Sequence, residues 1–283
     1  MLALLLSILC STTILILFKI MGKREMKLLP SIVTNYWIAV ISSLLLLETN
    51  RQFIPDNNNW IPAAIFVGFM FIVMFFCIGK STHKAGIAPT IIAAKMSMII
   101  PILFSIIYFS ESTSFLKIIG IITACIAVLL SVYKKSSSAK VAFSVLPIII
   151  FLGTGINDSV IKLAQQLYVP ENSTALFSAL LFTVAGIIGT IVLLTQSELR
   201  KLFLKKEYLL MGIGLGIVNF GSLYFFMEAL RTAPFDSSIV FGLNSIAIVV
   251  ISVLIGKFLF SEKISILNWF GIILALAAVY ILL

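Results

Sequence analysis

The sequence predicts an all-α membrane protein of ten transmembrane helices, built as two inverted five-helix repeats. Three observations carry that expectation. Hydrophobic residues make up 61% of the chain and charged residues 11%, with mean hydropathy +1.18. That balance leaves too little polar surface to cover a soluble core. The apolar residues fall in runs of about 20, long enough for a helix to cross a hydrocarbon layer ~30 Å thick. A stretch near the middle of the chain recurs near its end, the mark of a duplication. A membrane β-barrel is excluded, because barrel strands show short segments of alternating hydrophobicity.

Taken in order, the polar breaks divide the chain into ten spans. Span 1, residues 1–20, opens MLALLLSILCSTTILILF; with no basic leading region and no small-residue cleavage site, it is expected to be kept as a helix rather than removed as a signal. The run GKREMK at 22–27 closes it, and span 2 covers 30–47. DNNN at 56–59 precedes span 3 at 60–79, and span 4 covers 87–109. Span 5, at 115–133, is separated from span 6, at 141–163, by KKSSSAK at 134–140. Pro101 and Pro147 lie inside spans 4 and 6, where each can kink its helix and free a carbonyl. VPENS at 169–173 leads into span 7 at 175–195, followed by spans 8, 9 and 10 at 208–229, 237–259 and 266–283. No connection has room for a soluble domain.

A net charge of +9 would point to nucleic acid in a soluble protein, but here Lys and Arg sit in short loops between apolar runs, where membrane topology explains them. The three cysteines, Cys10, Cys77 and Cys125, all fall inside apolar segments, at spacings that fit neither a metal site nor a disulfide framework.

Residues 109–128, FSESTSFLKIIGIITACIAV, align without a gap on 260–279, FSEKISILNWFGIILALAAV, with eleven of twenty positions identical. The same offset pairs Lys80-Ser81 with Arg231-Thr232, and a slightly different one pairs Lys19 with Lys162. The duplicated units are expected at 1–133 and 141–283. Five helices per unit is an odd number, so two units in series enter the membrane with opposite orientation, the inverted repeat on which alternating-access transport is commonly built.

With its paired FSE-x8-G stretches, the Lys closing helices 1 and 6, and the Pro of KMSMIIP at 95–101, the chain resembles the ten-helix EamA-type transporters of the drug/metabolite transporter superfamily. The resemblance covers nearly the whole chain. It implies a ten-helix bundle around a central cavity, and export or exchange of a metabolite such as an amino acid, nucleoside, sugar or drug. Two departures stand out. The second half has Ser252 where Pro101 stands in the first. Orientation is the other. Fifteen Lys and Arg lie in the connections 1–2, 3–4, 5–6, 7–8 and 9–10, against Arg51, Lys117 and Arg231 on the alternate side. That bias puts both termini outside the cytoplasm, whereas family members are usually drawn with both inside.

Lys95 is the first candidate site residue. It lies roughly 12 Å along span 4 at 1.5 Å per residue, too deep to reach the interface easily, and a charge there is costly unless it faces a cavity or a partner. It reads either as a structural ion pair or carbonyl-bound cation, or as a cavity-facing group that attracts a substrate carboxylate or phosphate or gives up a proton during transport. Asp158 and Lys162, four residues apart on span 6, form a local helix-face pair, or else Asp158 faces the cavity and pairs with Lys95 or takes up a proton in a coupling cycle. Asn157 precedes the aspartate. Glu228, three residues before Arg231, is either a local pair or a proton site. Asn35 and Tyr36 in span 2, Asn219, Ser222 and Tyr224 in span 8, and Asn244 and Ser245 in span 9 are candidates for substrate hydrogen bonds or for helix–helix ones. Under the repeat offset Asn244 matches Ala93, two positions from Lys95. Glu111 and Glu262 are expected to suit the start of the helix that follows each of them, by capping it or by complementing its dipole, and Trp60 and Trp269 to anchor at the interface.

The expected function is secondary transport of a small metabolite across the cytoplasmic membrane by alternating access, as efflux or exchange, with proton coupling one option. The alternatives are an intramembrane enzyme and a non-transporting scaffold. The sequence has one histidine, His83, and neither HExxH nor GxSxG, so enzymatic activity is not expected. Partners are a small-molecule substrate and membrane lipid, without nucleic acid, metal or cofactor, in a monomer or a homodimer.

Overall fold

A computed structural model describes residues 1–50, 58–84, 93–111, 113–132, 145–170, 173–260 and 265–282. Its elements among these residues are helices: α1 (Leu2–Lys23), α2 (Leu28–Asn50), α3 (Ile61–Lys84), α4 (Ile99–Tyr108), α5 (Phe115–Val132), α6 (Val145–Leu167), α7 (Thr174–Leu194), α8 (Ser197–Phe203), α9 (Lys206–Thr232), α10 (Ser237–Phe260) and α11 (Ile266–Leu282). Seven of them (α1, α2, α3, α6, α7, α9 and α10) are long and apolar enough to cross a membrane, which is the make-up of a multi-pass membrane protein. The apolar stretches Ala93–Tyr108, Phe115–Ala127 and Trp269–Ala278 are shorter. Arg51, Lys134, Lys135, Lys140, Glu262 and Lys263 lie outside the described residues, as do the side chains of Lys80, His83, Lys84, Pro147 and Ser252.

Span 4 departs from the expected continuous helix. A helical turn at 93–96 is followed by a break at Ser97 and Met98 before α4 begins. Pro101 therefore stands in the first turn of α4, where a missing N–H is tolerated. The carbonyl that it frees, on Ser97, accepts the Ile100 N–H at 3.0 Å.

The described chain forms two compact units, neither of which is a sequence half: Met1–Val73 with Val160–Thr232, and Met74–Ser159 with Ala233–Leu283. Each draws helices from both expected repeats. A repeat is a unit of sequence, whereas a compact unit is a unit of packing.

In the first unit α2 packs along α7 and α9, and α1 lies on α9. Close approach comes from glycines. A Cβ on Gly216 of α9 would come to 2.5 Å from the Ile38 Cβ and 2.7 Å from the Asn35 carbonyl oxygen of α2. Gly68 of α3 makes the corresponding approach to α7, where its Cβ would lie 2.9 Å from the Val184 Cβ and press on the Leu181 carbonyl. Hydroxyls add polar links between helices: Ser7 donates to the Ser222 carbonyl at 3.0 Å, Ser11 and Ser222 share a 2.6 Å bond, and Ser31 donates to the Tyr208 carbonyl at 3.0 Å. Trp60 is buried at 4% exposure with its ring edge-on to Phe177. It is a core residue and not the expected interface anchor, because the start of α3 packs against α7. Trp269 is 40% exposed, with Lys257 Nζ 4.8 Å from its ring.

In the second unit the repeat-related helices α5 and α11 pack along each other. Their buried small residues match under the repeat offset: Gly120, Ala124 and Ala127 on one, Gly271, Ala275 and Ala278 on the other. Helix α10 lies against α4 and α5.

Candidate functional site

One polar part of the second unit is built where α6 presses on the interrupted span 4. Gly155 of α6 lacks a side chain where Ile100 of α4 fills the space; a Cβ there would sit 2.7 Å from the Ile100 Cβ. Five residues before Ile100, on the far side of the break, is Lys95; three residues after Gly155 is Asp158. Both are partly buried, and each is the other's electrostatic partner. The charge interaction of Asp158 with Lys95 runs from α6 to the turn that precedes α4. In the same unit, the Asn157 Oδ1 and Thr154 Oγ1 of α6, the Ser105 Oγ of α4 and the Asn244 Oδ1 of α10 are buried with no hydrogen-bond partner among the described residues. Such groups are costly to bury unsatisfied. Chemically, the arrangement offers one cation, one carboxylate and several neutral hydrogen-bonding atoms inside apolar helices.

The remaining candidates lie in the first unit. Asn35 is 3% exposed with its Oδ1 unpartnered, and Tyr36 is 2% exposed with its ring 6.3 Å from that of Phe182. Asn219 and Tyr224 are partly buried on α9, where the Tyr224 ring sits 5.6 Å from Phe220 and 5.5 Å from Phe225. Glu228 is 3.9 Å from Arg231, the local pair that the spacing allows. Lys162 is 3% exposed on the stretch of α6 that belongs to this unit.

Glu111 corrects an expectation. It does not cap the helix that follows it. Ser114 does that, accepting the Lys117 N–H at 3.0 Å. Glu111 instead caps α10, from far away in sequence: the N–H groups of Ser237 and Ser238 each donate to its carboxylate at 3.1 Å, and the Ser238 hydroxyl donates at 2.6 Å. Ser110, at φ 52°, turns the chain through the left-handed region to bring it there. Lys117, 7% exposed, completes the cluster at 2.7 Å from Asp236 and 3.7 Å from Glu111. Lys117 and Asp236 had no individual signal beyond the repeated FSE motif. Thr154 and Ser105 were also not legible as site features, because single hydroxyls in apolar helices are common, whereas the break at 97–98 was signalled by Pro101.

No family model matches the chain. An uncharacterized protein of Haemophilus influenzae is 29% identical over 285 residues, covering 98% of this chain and 95% of its own length. A protein of known crystal structure superposes with a TM-score of 0.76 at 13% identity, over 99% of this chain and 95% of that one. At that identity the likeness is one of fold alone.

Proposed function

We propose that this chain is a secondary transporter of a small metabolite in the cytoplasmic membrane, an EamA-type member of the drug/metabolite transporter superfamily working by alternating access. Its ten apolar spans are then ten crossings in two inverted five-helix repeats. The observation that carries this reading is the Lys95–Asp158 pair beside an interrupted helix. Ionisable groups inside membrane helices mark solute and proton pathways, and discontinuous helices hold the solute in many secondary transporters.

The repeat is supported by matched contacts. One offset of 146 residues relates Asn35 and Ile38 on α2 to Leu181 and Val184 on α7. The first pair receives Gly216 and the second receives Gly68. The same offset relates Tyr36 to Phe182, whose rings face each other. Together with the α5–α11 pair, these are the self-facing contacts that a pseudo-two-fold axis within a duplicated chain produces.

The test uses purified protein in proteoliposomes, loaded with solutes chosen from a thermal-shift screen of amino acids, sugars, nucleosides and organic acids. Lys95→Met and Asp158→Asn are each expected to lower exchange by about tenfold or more with little change in the unfolding temperature. Exchange that persists at the parent rate in both variants would return the pair to a structural role. A rate that responds to an imposed pH gradient, and loses that response in Asp158→Asn, adds proton coupling to the reading.

A further inference from the structure

We propose that the first unit binds an anionic phospholipid of the bilayer, with part of one acyl chain in a groove beside α8 and the lipid phosphate on Arg200. The groove measures about 220 Å³ and is lined mainly by Trp37, Leu193, Leu194, Phe203 and Leu204, with Arg200 as its charged member. That is below the ~300–1,000 Å³ of pockets that enclose a small molecule, and it suits a segment of chain lying against the protein. Trp37 is 37% exposed and donates its indole N–H to Thr190 at 3.0 Å, which fixes the ring as one wall.

The position of α8 sets the chemistry of the mouth. It follows the end of α7 and precedes the start of α9, so it lies at one end of two membrane-crossing helices. It is amphipathic: Leu199 and Phe203 pack on Leu29, Val33 and Leu193, while Arg200 and Lys201 are exposed. An amphipathic helix with basic residues on its polar face is the form that lies in the headgroup layer. The turn between α1 and α2 reaches the same end, because Met21 and Met26 pack with Tyr208 and Leu202. Lys23, Arg24, Lys27, Arg200, Lys201, Lys205 and Lys206 are all exposed there, against the carboxylates Glu25, Glu198 and Glu207. A rim with this excess of cations favours an anionic headgroup over a zwitterionic one. An apolar groove opening beneath the rim supplies a place for the chain. The inference does not depend on the transport reading.

The experiment uses the full chain in phosphatidylcholine bilayers, with Trp60→Phe and Trp269→Phe leaving Trp37 as the single tryptophan. Lipids brominated on the acyl chain are titrated in, and quenching of Trp37 is read. Brominated phosphatidylglycerol is expected to reach half-maximal quenching at a lower mole fraction than brominated phosphatidylcholine. Arg200→Gln is expected to reduce that preference roughly fivefold, the worth of one interfacial cation, while Lys201→Gln, on an exposed residue paired to Glu198, leaves most of it. Native mass spectrometry of the parent chain and Arg200→Gln, with all tryptophans present, gives a second measurement; the parent retains phosphatidylglycerol and the variant loses it. Equal quenching by the two lipids would overturn the proposal. So would displacement of the brominated lipid by glycerol phosphate or inorganic phosphate, which would make this a site for free phosphate.

Discussion

Glu111 shows how much one side chain can hold. Its carboxylate satisfies two backbone N–H groups at the start of α10, which have no partner within their own helix, and it sits beside the buried ammonium of Lys117. Removing Glu111 strips α10 of this cap, at a cost of about 1–2 kcal/mol, while Lys117 keeps Asp236 at 2.7 Å. Glu111→Ala is therefore expected to lower stability in detergent unfolding by about that amount. Glu111→Gln should lose less, because the amide oxygen still accepts from Ser237 or Ser238. An unfolding midpoint for Glu111→Ala equal to that of the parent would show that water or a neighbour replaces the cap. The Glu228–Arg231 pair is a contrast: at 3.9 Å, with Glu228 33% exposed, it has the character of the weak pairs found near surfaces.

Helices of this chain meet through small residues. In a bilayer, lipid tails are as apolar as leucine, so association depends on how closely two backbones can approach. Gly216 against α2 and Gly68 against α7 are the two closest matched approaches, and any Cβ there meets backbone or a β-branched side chain. Gly216→Ala and Gly68→Ala are each expected to destabilise by about 1–3 kcal/mol through overpacking. Gly22→Ala, on α1 with nothing near its Cβ position, should be neutral or slightly stabilising through helix propensity. The comparison of the three by thermal unfolding checks the assignment, and equal effects at all three sites would contradict it. The break at Ser97 and Met98 is the other feature of this scale. Proline removes one donor, the helix restarts, and Lys95 is left on the short turn before the restart.

Over the molecule as a whole, charge bias and duplication make one joint prediction. Fifteen of the twenty Lys and Arg lie in connections on one side of the expected topology, and the positive-inside rule then puts both termini outside the cytoplasm. A C-terminal reporter active only outside the cytoplasm is the expected result; activity only inside would reverse the orientation. The two expected repeats do not coincide with the two compact units, since each unit combines helices from both. The packing of α5 on α11 brings one helix of each expected repeat into the same unit.

The helical class and the long apolar helices were legible in the sequence because they depend on local quantities, above all the length of an apolar run. Lys95 and Asp158 were legible as misfits, since a charge in an apolar run stands out whatever surrounds it. Their interaction could be read only as one option among several, because it depends on Gly155 letting α6 press onto α4. The cap that Glu111 places on α10 was hidden; its bonds to Ser237 and Ser238 span 126 and 127 residues, and no local pattern encodes a partner at that distance. Composition and periodicity by themselves determined which segments become helices and which of them are apolar enough for a membrane. Tertiary structure alone decided which helix meets which, because that choice rests on matching small and large residues between surfaces far apart in the chain.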